Sequence, residues 1–278
     1  MRSKLFVPGT RPDFFEKALA GEADAISFDL EDSVPEGAKA ASRTRLAEFL
    51  GSDLVRSTAK TIIVRVNAIG TPHFQDDLRA LAQAHMHLIN LPKVEDDEAM
   101  RAAASKASEI AGDARLLVNI ETPRALARAR TIAAADPRIA GLQAGLNDLF
   151  EPLRMDRADP FNVQTALWQI RMAAAESGLF AYDGAWPNLE DADGFRREGE
   201  LARSMGFLGK SCVHPSQVAI ANDIFDRGAE IAQAHRILDA AGAAATEGNG
   251  AFLLDGKMID GPAIAQARSV VAGVEEGR

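Results

Sequence analysis

Residues 116–121 read Leu-Leu-Val-Asn-Ile-Glu, and residues 141–148 read Gly-Leu-Gln-Ala-Gly-Leu-Asn-Asp. In each stretch an apolar run stops at an acid, Glu121 in the first and Asp148 in the second. A branched apolar run bounded by Asn, Thr and Pro reads as a buried parallel strand. In alternating β/α folds the carboxyl ends of such strands carry the chemistry. Two carboxylates there are suited to one hard cation. Magnesium is commonly held by one or two protein carboxylates and keeps positions for water or substrate oxygen, so the count fits Mg²⁺ better than calcium or zinc. The other reading of each acid is a cap on the helix after its strand, with Pro123 placed to open one helix and Leu149 following Asp148 in the other.

Working outward from these two strands, similar β-like runs occur at 4–7, 25–29, 61–66, 88–92, 115–120, 141–146, 179–182 and 207–213. Between them lie stretches with apolar residues at helical spacing, such as 77–84, 96–111, 125–135 and 164–177. Strand and helix alternating eight times predict a closed parallel (β/α)₈ TIM barrel over residues 1–214. A doubly wound open sheet competes with it, but no Gly-rich dinucleotide fingerprint follows the first strand. Residues 215–278 depart from the alternation and predict a C-terminal helical and lid extension. Two helices, at about 215–228 and 229–241, lead to Gly248-Asn249-Gly250 and a short strand-turn element ending at Pro262. Such an element suits a lid, or an arm that crosses to a neighbouring subunit. The alternative is a packing flap that closes the barrel bottom.

The chain has 278 residues, 47% of them hydrophobic, close to the roughly 250 of a typical TIM barrel. A net charge of −9 argues against a nucleic-acid or anionic-membrane surface, and no basic run offsets it. Cys212 is the only cysteine, so no internal disulfide forms, and core filling is its expected role. The first apolar run reaches Pro8-Gly9 too early for a signal-peptide core, and no run approaches transmembrane length. A soluble, cytoplasmic protein with no membrane or nucleic-acid partner is expected.

An ordered set of motifs then carries a family resemblance: LFVPGTRP at 5–12, FDLEDSVP at 28–35, VRVN at 64–67, LPKVE at 91–95, IETPRAL at 120–126, GLNDL at 145–149, GFLGKSCVHPSQV at 206–218 and LDGKMID at 254–260. The chain resembles the citrate lyase β-subunit family of the HpcH/HpaI aldolase superfamily, which includes stand-alone malyl-CoA and citramalyl-CoA lyase-like enzymes. The resemblance implies a Mg²⁺-dependent barrel lyase, with Mn²⁺ as a substitute metal. Such an enzyme cleaves or forms the bond between a keto acid and the α-carbon of an acyl thioester. It also implies a small-molecule acyl-CoA partner and a homotrimer or a multiple of one.

Position by position, the resemblance makes Glu121 and Asp148 metal ligands, Arg65 the substrate arginine, and Asp260 a lid acid, often delivered by a neighbouring subunit, that protonates the enolate carbon. Arg65 also reads as an ion-pair anchor for nearby acids, and its fixed fork suits either task. Glu31 and Asp32 are expected to support the metal site through water or hydrogen bonds rather than ligate, with a solvated acidic loop as the plain reading. Residues 6–9 and Lys93 line the strand ends where substrate would lie, and Lys93 is placed to meet a carboxylate or phosphate. Asp255 reads as an Asp-Gly turn residue, and His214 as structural or shaping the thioester pocket. One departure stands out: Asn147 precedes the metal aspartate, where the family commonly has a second acid. Two other functions remain open beside the stand-alone lyase. One is a citrate lyase β subunit acting on an acyl carrier protein thioester, and the other a non-catalytic acyl-CoA-binding scaffold.

Overall fold

The computed structural model describes residues 1–112, 114–246 and 250–275. Its barrel strands are β1 (Ser3–Pro8), β2 (Ala25–Asp29), β3 (Thr61–Arg65), β4 (Leu88–Leu91), β5 (Arg115–Ile120), β6 (Ile139–Ala144), β7 (Phe180–Ala185) and β8 (Lys210–Cys212). Each pairs in parallel with the next, and β8 returns to β1, so the expected closed barrel is the observed one. β2 and β5 span the residues read from the sequence. β6 does not: it stops at Ala144, Gly145 caps a short helix Leu146–Phe150, and Asp148 lies in that helix rather than at a strand end. The apolar run 141–146 conceals the change because Leu146, the first helical residue, is as buried as the strand before it.

Period-two alternation divides each strand between two environments. Ile26 and Phe28, Ile62 and Val64, Ile89 and Leu91, and Leu116, Val118 and Ile120 all join one hydrophobic core with the surrounding helices. The alternate positions face the barrel interior and change character along its axis. Ala25, Ile63, Leu88 and Ala140 form a small apolar cluster of their own. Further along come the buried polar residues Ser27, Asn90, Asn119 and Gln143, and then the charged Asp29, Arg65 and Glu121. The apolar free energy therefore sits mainly outside the barrel, between strands and helices, and the interior grades from apolar to ionic toward the carboxyl ends.

The compact unit around the barrel runs from Met1 to Phe225, and a second comprises Asp226–Arg278. The break falls after residue 225 rather than after 214. Helix Ser216–Ile224 packs on β1 and β8, and its Val218 and Ala221 join the main core, so it completes the barrel instead of opening the extension. Within the second unit, helix Gly228–Thr246 packs against helix Gly261–Glu275 around Ala234, Ala267 and Val270. Between them β9 (Phe252–Leu254) and β10 (Lys257–Ile259) form an antiparallel hairpin. Its two-residue turn, Asp255-Gly256, has φ of 51° and 76°, the left-handed pair that a type I′ turn requires. Of the glycine-flanked entry, Gly248 and Asn249 lie outside the described residues. No described helix is long and apolar enough to cross a membrane.

Candidate active site

Strand register brings the ionic residues together. Asp29 ends β2 directly opposite Arg65 at the end of β3, and the pairing lets the guanidinium engage both carboxylate oxygens, Nε to Oδ1 at 2.7 Å and Nη2 to Oδ2 at 2.8 Å. Burial alone raises a carboxyl pKa, but the Arg65 charge and these hydrogen bonds outweigh it and hold Asp29 down at about 2. Arg65 Nη1 lies 3.0 Å from Glu31 and 3.5 Å from Asp32. Lys93 Nζ completes the cluster, 2.7 Å from Glu31 and 3.1 Å from Asp32. Burial pushes Glu31 up to about 7, and Arg65 and Lys93 pull against it. Arg65 and Lys93 are both raised: burial opposes their charge, but the acids around them prevail.

Glu121 is the buried acid of the site, 2% exposed. It accepts hydrogen bonds from Lys93 N–H at 2.7 Å and from Asn119 Nδ2 at 3.1 Å. The first bond depends on an unusual backbone: Lys93 has φ of 53°, a left-handed conformation seldom adopted by residues with a side chain. Such strain at a strand end is characteristic of sites whose surroundings over-determine it. Asp148 lines the same cavity and is more exposed. Burial and then the Asp148 charge raise the Glu121 pKa; burial and then Asp32 raise that of Asp148. Two carboxylates that repel each other beside one cavity are stabilised by a cation between them.

The cavity encloses about 340 Å³ and is lined by Phe6, Asp29, Asp32, Arg65, Asn119, Glu121 and Asp148 among others. The residues present fit magnesium. The donors are oxygens, and Asn119 adds a buried Oδ1 that has no hydrogen-bond partner. Among the described residues no group of three His, Cys, Asp or Glu side chains is arranged to hold a metal ion. A second, more apolar cavity of about 600 Å³ adjoins it, sharing Phe6, Pro8 and Val213 and reaching Phe14, Lys17 and His214.

The cap reading of the two acids does not hold. Thr122 Oγ1 caps helix Pro123–Ala127 by accepting from Ala125 N–H at 3.1 Å, and Gly145, not Asp148, occupies the cap position of helix Leu146–Phe150. Glu31, Asp32, Arg65, Lys93, Glu121 and Asp148 all gather at one end of the barrel unit. Lys93 spends its ammonium on Glu31 and Asp32, and it is its backbone N–H that reaches Glu121. Asp260 belongs to the second unit, where its Oδ1 accepts from Ala263 N–H at 3.3 Å at the start of helix Gly261–Glu275. Cys212 is fully buried, its thiol pushed up to about 12 by burial, as befits core filling. His214 Nδ1 lies 2.9 Å from Ser216 Oγ in an exposed turn. Asp29 and Asn119 were not singled out as site residues from the sequence. Each lies two positions before an acid already noted, Glu31 and Glu121, and the same period of two points to Asn119 directly.

Comparison with known proteins identifies the family. The sequence model of the HpcH/HpaI aldolase/citrate lyase family matches residues 2–215. A citrate lyase subunit beta-like protein of Deinococcus radiodurans is 36% identical over 276 residues, covering 98% of this chain and 96% of the relative. A (3S)-malyl-CoA thioesterase of Cereibacter sphaeroides is 37% identical over 283 residues, covering 99% and 94%. Among solved structures, protein CitE of Mycobacterium tuberculosis in complex with magnesium, acetoacetate and coenzyme A superposes with a TM-score of 0.76 at 31% identity, covering 98% of each chain. With a family match over most of its length and relatives aligned nearly end to end, the chain belongs to the HpcH/HpaI aldolase/citrate lyase family.

Proposed function

We propose that this protein is a Mg²⁺-dependent carbon–carbon lyase. Its substrate would be a 3-hydroxyacyl thioester such as malyl-CoA, citramalyl-CoA or citryl-CoA, cleaved to a keto acid and an acyl thioester, or formed from them. The observation that carries the reading is the convergence of Glu121, Asp148 and the Arg65 guanidinium on one cavity. Relatives add support: CitE is described with magnesium, acetoacetate and coenzyme A.

Glu121 and Asp148 would hold the metal. When bound, Mg²⁺ lowers the cost of an alkoxide on the substrate hydroxyl and orients the neighbouring carboxylate. Arg65, already fixed by Asp29, lines the cavity and stabilises negative charge on a substrate carboxylate or on the thioester oxygen as the enolate departs. Lys93 and Glu31 hold that side of the cavity in place, and Lys93 N–H fixes one oxygen of Glu121. The adjoining apolar cavity receives the arm of the thioester. Asp260 acts as the acid that protonates the enolate carbon, delivered by a neighbouring subunit of a homo-oligomer.

A second reading is thioester hydrolysis, favoured by the relative named (3S)-malyl-CoA thioesterase. One experiment separates the two. Malyl-CoA, citramalyl-CoA, 3-hydroxy-3-methylglutaryl-CoA and citryl thioesters are incubated with enzyme and Mg²⁺, and keto acid and free thiol are measured together. Keto acid without free thiol supports the lyase; free thiol with an intact hydroxy acid supports hydrolysis; turnover of none overturns both.

A further inference from the structure

Behind the Asp148 turn lies a buried ionic network that the reaction as described does not use. Lys210 on β8 is fully buried and donates to Asp183 Oδ2 at 2.6 Å and to Glu198 Oε1 at 2.7 Å. Arg157 grips the same Glu198, Nη2 to Oε1 at 2.7 Å and Nε to Oε2 at 3.0 Å. Its Nη2 also reaches Ala185 O at 2.7 Å, and its guanidinium lies 5.1 Å from the Trp186 ring centroid. The remaining arm, Nη1, donates to Asn147 Oδ1. Two cations and two carboxylates balance, so the network is neutral with an amide at position 147, and an acid there would add a charge beside Asp148.

The hydrogen bond also fixes which way the amide faces. A guanidinium has donors only, so it takes the oxygen of Asn147 and leaves the amide nitrogen as the group this residue offers to the cavity it lines. We infer that Asn147 determines substrate specificity: its amide nitrogen donates to an acceptor oxygen on the keto-acid half of the substrate, and Arg157 is the positioning residue that turns it there. This deepens the proposed function and rests on it, because it takes the cavity to bind a keto acid. An acid at the same position would face that oxygen with an acceptor and a negative charge, so the neutral side chain favours keto acids carrying an oxygen-rich anionic group at this point.

Calorimetry with Mg²⁺ and either pyruvate or oxaloacetate tests it. Asn147→Asp conserves shape and the bond to Arg157 but removes the donor, and the affinity for at least one keto acid falls by about 10-fold or more, while Mg²⁺ alone binds as tightly as before or more tightly. Arg157→Lys, which cannot hold Glu198, Ala185 O and Asn147 together, lowers keto-acid affinity in the wild-type background and adds nothing further in the Asn147→Asp background. If Asn147→Asp binds both keto acids as wild type does, the inference fails and the lyase reading stands. If wild type with Mg²⁺ binds neither keto acid, the lyase reading fails and takes the inference with it. Should Arg157→Lys not fold, Asn147→Asp alone decides.

Discussion

Gly145→Ala tests the proposed metal site without replacing either proposed ligand. A Cβ added at Gly145 would stand 2.3 Å from Glu121 Cβ and 2.8 Å from Glu121 Oε2, whereas ordinary contact begins at 3.4 Å. Relief therefore needs a displacement of about 1.1 Å, the difference of 3.4 and 2.3 Å. Neither side moves freely. Gly145 N–H is bonded to Ile120 O at 3.0 Å, and Glu121 is held at 2.7 Å by Lys93 N–H and at 3.1 Å by Asn119. The backbone of Gly145 has φ of −112°, so alanine meets no conformational obstacle and the effect is steric alone. Overpacking of this kind costs about 1–3 kcal/mol of stability. The metal site is disturbed as well, because Mg²⁺ demands near-octahedral geometry at about 2.0–2.1 Å and a ligand moved by half that length no longer serves. We expect Mg²⁺ affinity to fall at least 10-fold, about 1.4 kcal/mol. Thermal unfolding measured across a Mg²⁺ titration reads both quantities, since an ion that binds the folded state stabilises it by RT ln(1 + [Mg²⁺]/Kd). A folded Gly145→Ala protein whose Mg²⁺ titration coincides with that of wild type would refute the assignment of Glu121 as a ligand.

Replacing the proposed ligands, Glu121→Gln or Asp148→Asn removes charge while nearly conserving shape, and each is expected to abolish Mg²⁺ binding and turnover without unfolding the barrel; an unchanged calorimetric titration removes that residue from the proposed ligand set. Arg65→Lys loses the two-pronged grip on Asp29 that holds the cation at the cavity wall, so kcat/KM drops by about 10-fold or more, and a wild-type value makes the arginine purely structural. If Asp260 serves a neighbour, mixing inactive Asp260→Asn and Glu121→Gln subunits restores some activity; exchange verified by mass spectrometry with no recovery counts against a shared site. Lys4 is wholly buried against Gln143 and the Phe6 ring, 4.5 Å away, and burial, then the Arg65 charge, push its pKa well down. The folded chain thus binds fewer protons here than the unfolded chain below the ordinary lysine pKa, so this residue costs stability at neutral pH and less as pH rises toward 10. Lys4→Met raises the Tm at pH 7, by roughly 1 kcal/mol or more in stability, and the gain shrinks near pH 10; an equal gain at both places the cause in packing instead.

The barrel was legible because its strands are short apolar runs at regular spacing, and β2 and β5 could be bounded to the residue. β6 was not, because burial on both sides of Gly145 makes strand and helix look alike, and only the glycine marks the change. Glu121 and Asp148 drew attention because each follows an apolar run, although a helix cap explained that placement equally well; Asp29 drew none. Their partners were less legible. That Lys93 contributes its N–H rather than its ammonium to Glu121 depends on a φ of 53°, which no residue type announces. The network from Asn147 through Arg157 to Lys210 joins residues up to 63 positions apart, and such pairings emerge only when strands and helices are in register.

The alternation of β2 through β5 has a consequence for how this protein tolerates mutation. Outward positions answer to folding, since they form the apolar layer under the helices, whereas inward positions near the carboxyl ends line the candidate site and contribute little apolar burial. A saturation scan scored once for abundance and once for turnover should therefore separate neighbouring residues of one strand into two interleaved sets. Ile26, Phe28, Val64 and Val118 fall in the first; Asp29, Arg65, Asn119 and Glu121 fall in the second. Substitutions in the second set should cost turnover while leaving abundance nearly intact, because the free energy that keeps the barrel closed is stored on the opposite face of the same backbone.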